Sequence, residues 1–437
     1  MSDPLPVKAL SDVVIVVPTR NRASLAQAAI ASVLEQSRPG VRILVSDNST
    51  IREERQKLAA YCEARAEEAL MYVRPPEPKP MPEHWQWALE AALELNASHY
   101  SYLTDRMLFK PGELANVLSV GGMYPDSVLA YNHDMVDDYA YPVRLYLHQW
   151  SGSVLRVQSS DVLGLCSRAT FGNYIPRMLN CIVPRAVLDQ IAGRFSTVFD
   201  SVAPDFCFAF RCLAVTDEFV YYDRSPLIHH ALDRSNGAAY SRGIESPDSA
   251  DFRANLAGAQ PHSAAPIPEL HGITNAILHE YCRVREEVGD ERFPAVDQAL
   301  YLEAIARELS LLENHELRRS AEANLISAGW RPAARGRSAR LAPVRRLTAA
   351  PRFAVRFLKR VASRGLGSRA AVPLWSLLTR LRVPVSPPAI LRFTSAPDAI
   401  RFAARYRRRP TREPVEVRPL LASPRTRSTT PSGDPVV

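Results

Sequence analysis

An apolar run near the N-terminus, Val13 to Arg22 (VVIVVPTRNR), constrains the fold of this chain most. It is too short to cross a membrane as a helix and is rich in valine, so it predicts a buried strand that ends at Pro18. Helical spacing follows, opened by Ser24 and Gln27 as a capping box. A second apolar run, Val41 to Thr50 (VRILVSDNST), ends in an acid and predicts a parallel neighbour. This is a βαβ unit, and such sheets bind ligands beyond the carboxyl ends of their strands.

Polar residues stand where these strands and a later one end, and we expect them to form a binding site. They are Thr19, Asn21, Arg22, Asp47, Asn48, Asp105 and Arg106, and the backbone around Pro18 lies beside them. Turns use the same residue types, so strand-ending turns without a ligand are the alternative interpretation. The first strand is not followed by G-x-G-x-x-G, which argues against a dinucleotide-binding dehydrogenase.

Four segments, VVIVVPTRNR, ASVLEQS, ILVSDNST and YLTDRMLFKPGEL, together resemble the GT-A fold family 2 glycosyltransferases in order and spacing. The resemblance covers roughly residues 10–235. It implies an α/β fold with a Rossmann-like mixed, mostly parallel sheet flanked by helices. It also implies transfer of a sugar, with inversion, from a nucleotide-diphosphate donor to a saccharide or glycolipid acceptor.

The resemblance places the donor at the strand ends. Asp47 matches the family position that hydrogen-bonds uracil, which indicates a UDP-sugar, although Ser46 stands where an acid is frequent. Thr19 and the backbone around Pro18 border the same pocket. Lys79, on a proline-rich loop, is a weaker candidate for contact with phosphate, and an ordinary solvated lysine is the alternative.

The family holds a divalent metal, Mn²⁺ or Mg²⁺, with a D-x-D motif, whereas this chain has Thr104, Asp105, Arg106 and Met107 at the matching place. Asp105 is predicted to contact the metal or the ribose, and Arg106 to pair with phosphate oxygens. His230, or the adjacent His229, is a candidate metal ligand, although neighbouring histidines at a strand end are also ordinary loop residues. We expect the transferase activity to retain a weakened dependence on the metal. The alternatives are replacement of the metal by Arg106 and loss of catalysis.

A general base is expected on the acceptor side. The segment FDSVAPDFCFAFRCL resembles the second acidic motif of the family, in which an acid that opens a helix deprotonates the acceptor hydroxyl. Asp205 is that acid, and Asp200 is the alternate. Pro204 and Asp205 are also an ordinary helix start, where the carboxylate interacts with the helix dipole.

Composition divides the chain into three parts. Residues 1–240 are predicted as the transferase domain, 241–330 as a linker and helical subdomain, and 331–437 as a basic, partly disordered tail. The tail has 24 Lys or Arg and four Asp or Glu, a net charge of +20 against +8 for the whole chain, so residues 1–330 carry −12.

Within the tail, 352–361 and 372–382 are predicted to be amphipathic and to lie on an anionic membrane or to pack on the acidic body. Nucleic acid is not an expected partner, because the tail has no recognised binding module. The six cysteines lack disulfide or zinc spacing, and a secretory signal is not recognisable. We therefore expect a cytoplasmic protein, peripheral on the inner face of the membrane.

Two rival functions stay open. The first is a catalytically silent protein that binds a nucleotide sugar, with Arg106 in place of the metal site. The second is a GT-A-like nucleotidyltransferase, which the absence of a glycine-rich phosphate loop disfavours.

Overall fold

The computed structural model describes residues 9–331, apart from 37, 68, 149, 257–261 and 290–291, and residues 390–406 and 418–419. The strands are β1 (Val13–Thr19), β2 (Val41–Asp47), β3 (Leu70–Val73), β4 (His99–Tyr102), β5 (Met107–Phe109), β6 (Leu129–Asp137), β7 (Val143–Tyr146), β8 (Val154–Gln158), β9 (Cys181–Pro184), β10 (Glu218–His229), β11 (Ile390–Phe393) and β12 (Arg418–Pro419). The helices are α1 (Ala23–Leu34), α2 (Arg52–Glu63), α3 (Met81–Leu93), α4 (Glu113–Met123), α5 (Ser159–Cys166), α6 (Arg185–Phe195), α7 (Pro204–Val215), α8 (Asn236–Arg242), α9 (Pro247–Asn255), α10 (Ile273–Val288), α11 (Gln298–Leu309), α12 (His315–Ser327) and α13 (Ala396–Arg405).

The sheet begins as a parallel half and continues as a mixed one. Its first strands lie in the order β3, β2, β1, β4, all parallel. Beyond β4, the antiparallel strand β9 connects to β6, which pairs in parallel with β10. Helices cover the sheet, so the predicted mixed α/β sheet flanked by helices is confirmed, with the parallel pairing concentrated in its first half.

Strand β1 is buried on both faces because helices pack against each side. Val13, Ile15 and Val17 contact the layer formed by α1, α2 and α4. Val14 and Val16 contact the opposite layer, which contains α3, α5, α6, α7 and α10. A strand buried on both faces reads as a continuous apolar run, which is why the sequence identified it.

The start of α1 differs from the expectation. Its N-cap is Arg22, and no side chain of the cap position bonds to the helix. Glu54 of α2 takes that role, since its carboxylate accepts the Ala23 N–H at 2.6 Å. The predicted capping box of Ser24 and Gln27 is therefore wrong, and a contact from the next helix replaces it.

The helices after residue 241 share their core with the sheet. Tyr281 of α10 packs edge-on against Phe210 of α7, with ring centroids 5.3 Å apart. The apolar side chains of α11 and of the turn after it are buried in the same cluster as Val14 and Val16; they are Leu302, Ile305, Leu309 and Leu312. The predicted subdomain thus has a common core with the transferase region.

Part of the region beyond residue 331 also packs on the sheet. Strand β11 pairs antiparallel with β7, and α13 covers Val136, Leu145 and Ile228. The segments 352–361 and 372–382, which the sequence predicts to be amphipathic, lie outside the described residues. Within the described part, no helix has the length and apolar character needed to cross a membrane.

Candidate functional site

Thr19, Arg22 and Asp105 meet at one edge of the sheet. Strand β4 ends opposite Val16, and the chain then continues through Leu103, whose N–H donates to the Val16 carbonyl at 2.9 Å. This extension brings Asp105 level with Thr19, whose hydroxyl donates to Asp105 Oδ2 at 2.9 Å. Arg22 Nη1 lies 3.5 Å from Asp105 Oδ1. Asp105 is only 3% exposed, so these two protein groups take the place of water around its carboxyl group.

Asp47 lies beside Thr19 in the strand register but is already engaged by protein donors. Its Oδ1 accepts the Ser49 N–H at 2.8 Å, and its Oδ2 accepts the Tyr72 hydroxyl at 2.7 Å. The residue is 0% exposed. For Asp47 to accept from a uracil N–H, as the sequence predicts, Tyr72 or the turn at Ser49 would have to move aside.

Asn48 and Asn21 fix the loops around this edge, and Pro18 is buried opposite Ser46 within the register of β1 and β2. The Asn48 side chain donates to the Lys79 carbonyl at 2.8 Å and accepts the Lys79 N–H at 2.9 Å. Asn21, with φ of 55°, accepts the N–H groups of residues 50 and 51 at 2.9 and 3.0 Å. Both amides therefore position backbone around the predicted donor pocket.

Helix α9 adds acids that the sequence analysis missed. Arg22 Nε donates to Asp248 Oδ1 at 3.1 Å, and Asp248 also pairs with Arg234. Arg20 donates to Asp251 at 2.7 Å. More than 200 residues separate the partners Arg22 and Asp248, so no local pattern announces the contact.

Arg106 lies against a histidine of strand β10, which pairs antiparallel with β5 just after Arg106. Its Nη1 donates to His229 Nε2 at 2.8 Å, and its carbonyl accepts the His230 N–H at 3.0 Å. Burial, and then the charge of Arg106, lowers the pKa of His229 well below 6.5, which leaves Nε2 of the neutral ring as an acceptor. Burial also lowers the pKa of Arg106 to about 10, so the guanidinium stays charged at neutral pH.

Asp205 opens α7, as predicted, and faces an arginine that the sequence analysis missed. Arg177 Nη1 lies 3.6 Å from Asp205 Oδ2. Burial raises the pKa of Asp205, while Arg177 and the more remote Arg106 act against that rise. The same two arginines act on His229, so they share one neighbourhood.

Asp200, the alternate base, has strong partners of its own. It lies 2.7 Å from Arg211 Nη2 and 3.1 Å from Arg283 Nη2. Burial opposes its ionisation, yet these guanidinium groups hold the pKa of Asp200 below its ordinary value. A carboxylate with a lowered pKa is a weak proton acceptor, so Asp205 is the better candidate for the general base.

Buried polar atoms without a hydrogen-bond partner gather around Arg106. They are Thr104 Oγ1, Arg106 Nε, His133 Nδ1, Arg177 Nε and His230 Nε2. The ring of His133 packs edge-on against His229 at 5.6 Å. We call Arg106, His133, Arg177, His229 and His230 the arginine–histidine cluster. Because such unpartnered atoms are rare in folded proteins, their concentration marks a place for a polar ligand or for water.

The residues at this edge do not fit a divalent metal held by the chain. Among the described residues, no group of three His, Cys, Asp or Glu side chains is placed to hold a metal ion. Asp105 is occupied by Thr19 and Arg22, and the guanidinium of Arg106 follows it directly in the chain. The predicted pair of Asp105 and His230 therefore lacks a third protein ligand in the part of the chain that the structure describes.

Neither a protein family nor a curated protein matches this chain. Among solved structures, it is similar to TarS of S. aureus, with 13% identity, a TM-score of 0.41 and coverage of 72% of this chain. The chain spans about half, 54%, of that TarS structure.

TarS 1–349 in complex with UDP-GlcNAc gives 13% identity and a TM-score of 0.42, with coverage of 72% of this chain and 90% of that one. The mannosyltransferase PcManGT from Pyrobaculum calidifontis, in complex with GDP-Man and Mn²⁺, is similar with 17% identity and a TM-score of 0.39. The match covers 75% of this chain and 88% of that one.

Proposed function

We propose that this protein transfers a sugar from a nucleotide-diphosphate donor, a UDP-sugar, to a hydroxyl of a saccharide or lipid-linked acceptor. One observation carries the proposal. Asp205, a carboxylate whose pKa burial raises, lies beside Arg177 and within electrostatic reach of Arg106 at a cluster of unpartnered polar atoms. A proton acceptor next to unsatisfied cationic donors suits a reaction in which a hydroxyl loses a proton while an anion departs.

The reaction assigns one role to each side of the site. Asp205 takes the proton of the acceptor hydroxyl as its oxygen forms a bond to the anomeric carbon of the donor sugar. The bond from that carbon to the diphosphate breaks, and the diphosphate leaves with the electron pair. A raised pKa makes Asp205 a stronger base than an ordinary carboxylate, and a single displacement inverts the anomeric centre.

The nucleoside is proposed to bind along the ends of β1 and β2, near Thr19, Asp47 and Asn48. Thr19 is held by Asp105, and Asn48 by the backbone of Lys79, so this part of the pocket wall is formed before a ligand arrives. Asp47 would have to exchange one of its protein donors for the uracil N–H. Preorganisation of this kind lowers the entropic cost of binding.

The test begins with the full-length protein and a panel of UDP- and GDP-sugars. We expect a UDP-sugar to raise the unfolding temperature, and released UDP to appear when a saccharide acceptor is added. Asp205→Asn should lower turnover by about 10²-fold or more while donor affinity is retained. Asp161→Asn is the matched control, because Asp161 also lies in the first turn of a helix but belongs to α5. Equal turnover in both variants would remove Asp205 from the reaction.

A second function is favoured by the occupied state of Asp105. If its bonds to Thr19 and Arg22 persist with ligand present, the chain binds a nucleotide sugar without turning it over. Calorimetric binding of UDP-sugars together with no UDP release, across acceptors, would establish this silent protein instead.

We also propose that segment 352–361 docks the protein on anionic membrane at the cytoplasmic face. Its basic residues are Arg352, Arg356, Lys359 and Arg360. Replacing all four by glutamate should abolish sedimentation with phosphatidylglycerol vesicles. Vesicle binding equal to that of the natural chain would rule the segment out. Truncation after residue 330 is a poorer test, because it also removes β11 and α13 from the sheet.

A further inference from the structure

We infer that Arg106 and Arg177 form an anion site that takes the diphosphate of the donor without a divalent metal. The inference rests on the proposed function for the identity of the anion. The two guanidinium groups belong to distant parts of the chain, Arg106 just before β5 and Arg177 just before β9. Neighbouring strands bring them together: Arg106 bonds to His229 on β10, which pairs with β6. Asn180 accepts the Arg177 N–H and donates to the Tyr131 carbonyl on β6. Both arginines also act electrostatically on His229 and on Asp205.

The hydrogen-bonding capacity of these arginines is only partly used. Arg106 donates from Nη1 to a neutral histidine, and its Nε is buried without a partner. Arg177 has an equally unpartnered Nε, and its Nη1 approaches Asp205 at 3.6 Å, beyond hydrogen-bond length. A guanidinium carries five N–H donors in a fixed plane, so both groups retain donors for an anion.

Other arginines of the chain show what a satisfied guanidinium looks like. Arg224 donates to both carboxylate oxygens of Glu113, at 2.6 and 2.8 Å. Arg211 also has an unpartnered Nε, but its Nη2 lies 2.7 Å from Asp200 and 3.3 Å from Glu287. Arg106 has no carboxylate contact of this kind among the described residues.

The carboxylates around Arg106 are committed elsewhere. Asp105 accepts from Thr19 and pairs with Arg22, and Asp248 pairs with Arg22 and Arg234. Asp138 accepts the Leu232 N–H at 2.7 Å. The positive charge of Arg106 is therefore incompletely compensated, and a multiply charged anion would offset the cost of its burial.

The histidines of the cluster supply hydrogen bonds without adding charge. Burial lowers the pKa of His133 to about 3 and that of His230 to about 4, so both rings are neutral at pH 7. A neutral imidazole can orient its N–H toward a phosphate oxygen, as can the unpartnered hydroxyl of Thr104. A divalent cation at the same place would instead meet the guanidinium groups of Arg22 and Arg106, which repel it.

The test measures binding of UDP and of inorganic pyrophosphate by calorimetry, in chelator and in Mn²⁺. We expect the same Kd in both conditions, and no protein-bound Mn²⁺ by electron paramagnetic resonance in the absence of nucleotide. Arg106→Ala and Arg177→Ala should each weaken both ligands by about 10- to 100-fold, the range for charge-assisted hydrogen bonds. Arg185→Ala is the control, since Arg185 pairs with Asp189 on the surface.

Circular dichroism and the unliganded unfolding temperature establish that each variant folds, and Arg106→Gln and Arg177→Gln replace any alanine variant that does not. Binding of UDP only with Mn²⁺, or unchanged Kd values in the arginine variants, would overturn the inference and leave sugar transfer possible. Arginine-dependent binding of pyrophosphate by a protein that binds no nucleotide sugar would support the anion site and end the proposed function.

Discussion

The two sides of the site differ in how their buried polar groups are partnered. At the ends of β1, β2 and β4, Thr19, Asp47, Asn48 and Asp105 are hydrogen-bonded to other protein groups. In the arginine–histidine cluster, several buried nitrogens have no partner. A satisfied wall is stable without a ligand, whereas unpartnered groups carry a desolvation cost that a ligand can relieve. We therefore expect the strand ends to contribute stability and the arginine–histidine cluster to depend on a ligand.

The largest expected effect on stability is that of Asp105→Ala on the satisfied side. The Thr19 hydroxyl loses its acceptor, and Arg22 keeps its ion pair with Asp248 and its hydrogen bond to the Arg234 carbonyl. We expect the free energy of unfolding to fall by about 3 kcal/mol, as for a buried ionic network that loses one member. Denaturant unfolding at pH 7 measures it.

Asp189→Ala is the control for that change, since Asp189 pairs with Arg185 at the surface and should cost less than about 1 kcal/mol. If Asp105→Ala costs no more than the control, the strand ends are not the rigid side of the site.

The satisfied side is also the side that the sequence could predict. The carboxyl ends of parallel strands share one edge, so Thr19, Asp47 and Asp105 follow from the apolar runs alone. The resemblance to the GT-A family predicted the mixed sheet, and the segment around Pro204 and Asp205 predicted the start of α7. Neither could identify the hydrogen bonds that occupy Asp47, because these come from Tyr72 on a neighbouring strand.

The unsatisfied side depends on contacts between distant parts of the chain. Arg177 precedes β9 within an irregular segment. Its ion-pair partner, Asp205, is placed beside it only when α7 packs on the sheet. Residues 390–406 likewise sit inside a composition that predicts a disordered tail, yet β7 offers them an edge to pair with. Local pattern cannot anticipate either contact.

Glu280 provides a test outside the cluster. Its Oε1 accepts from the Ser201 hydroxyl at 2.7 Å and from the Ala203 N–H at 2.9 Å, while its Oε2 is buried without a partner. Burial raises the pKa of Glu280 from 4.5 to about 7. The folded state therefore binds the carboxyl proton of Glu280 more tightly than the unfolded state does. The resulting contribution to the free energy of unfolding is lost as pH rises from about 4.5 to about 7.

In the natural chain, Glu280 should lower the free energy of unfolding by up to about 1.4 kcal/mol per pH unit as pH rises from 5 to 7, and we expect Glu280→Gln to remove this dependence. The measurement is the difference in unfolding free energy between the natural chain and the variant, which cancels the shared contributions of Asp200 and Arg283. A difference that does not change with pH would show that an unpartnered buried oxygen has no cost here. The comparison between the two sides would then lose its physical basis.

Two buried histidines, one on each side of the site, differ in whether their Nε2 atom has a hydrogen-bond partner. His84 Nε2 bonds to the Ser46 hydroxyl at 2.8 Å, whereas His230 Nε2 has no partner. We expect His84→Leu to lower the free energy of unfolding by about 2 kcal/mol, because Ser46 is left unpaired in the core. His230→Leu should change it by less than about 1 kcal/mol, since it removes an unsatisfied group. Equal losses in denaturant unfolding would mean that the cluster is part of the rigid scaffold.

The smallest effect concerns Asn21, whose two possible roles can be separated. Its side chain accepts the N–H groups of Thr50 and Ile51 at the start of α2, and its φ of 55° suits asparagine or glycine. Asn21→Gly keeps the backbone conformation but removes the acceptor, so we expect a loss of about 1 kcal/mol in stability, the usual net contribution of a hydrogen bond. Asn21→Asp keeps the acceptor and should preserve stability.

If Asn21 acts only on the loop, calorimetric affinity for UDP should be the same in both Asn21 variants as in the natural chain. If Asn21 also contacts the donor, as the sequence predicts, Asn21→Asp should weaken UDP binding while stability is retained, because a second carboxylate next to a diphosphate is repulsive. Asn21 would then both hold the rigid loop and contact the ligand, so the two sides of the site would not be separate at this residue.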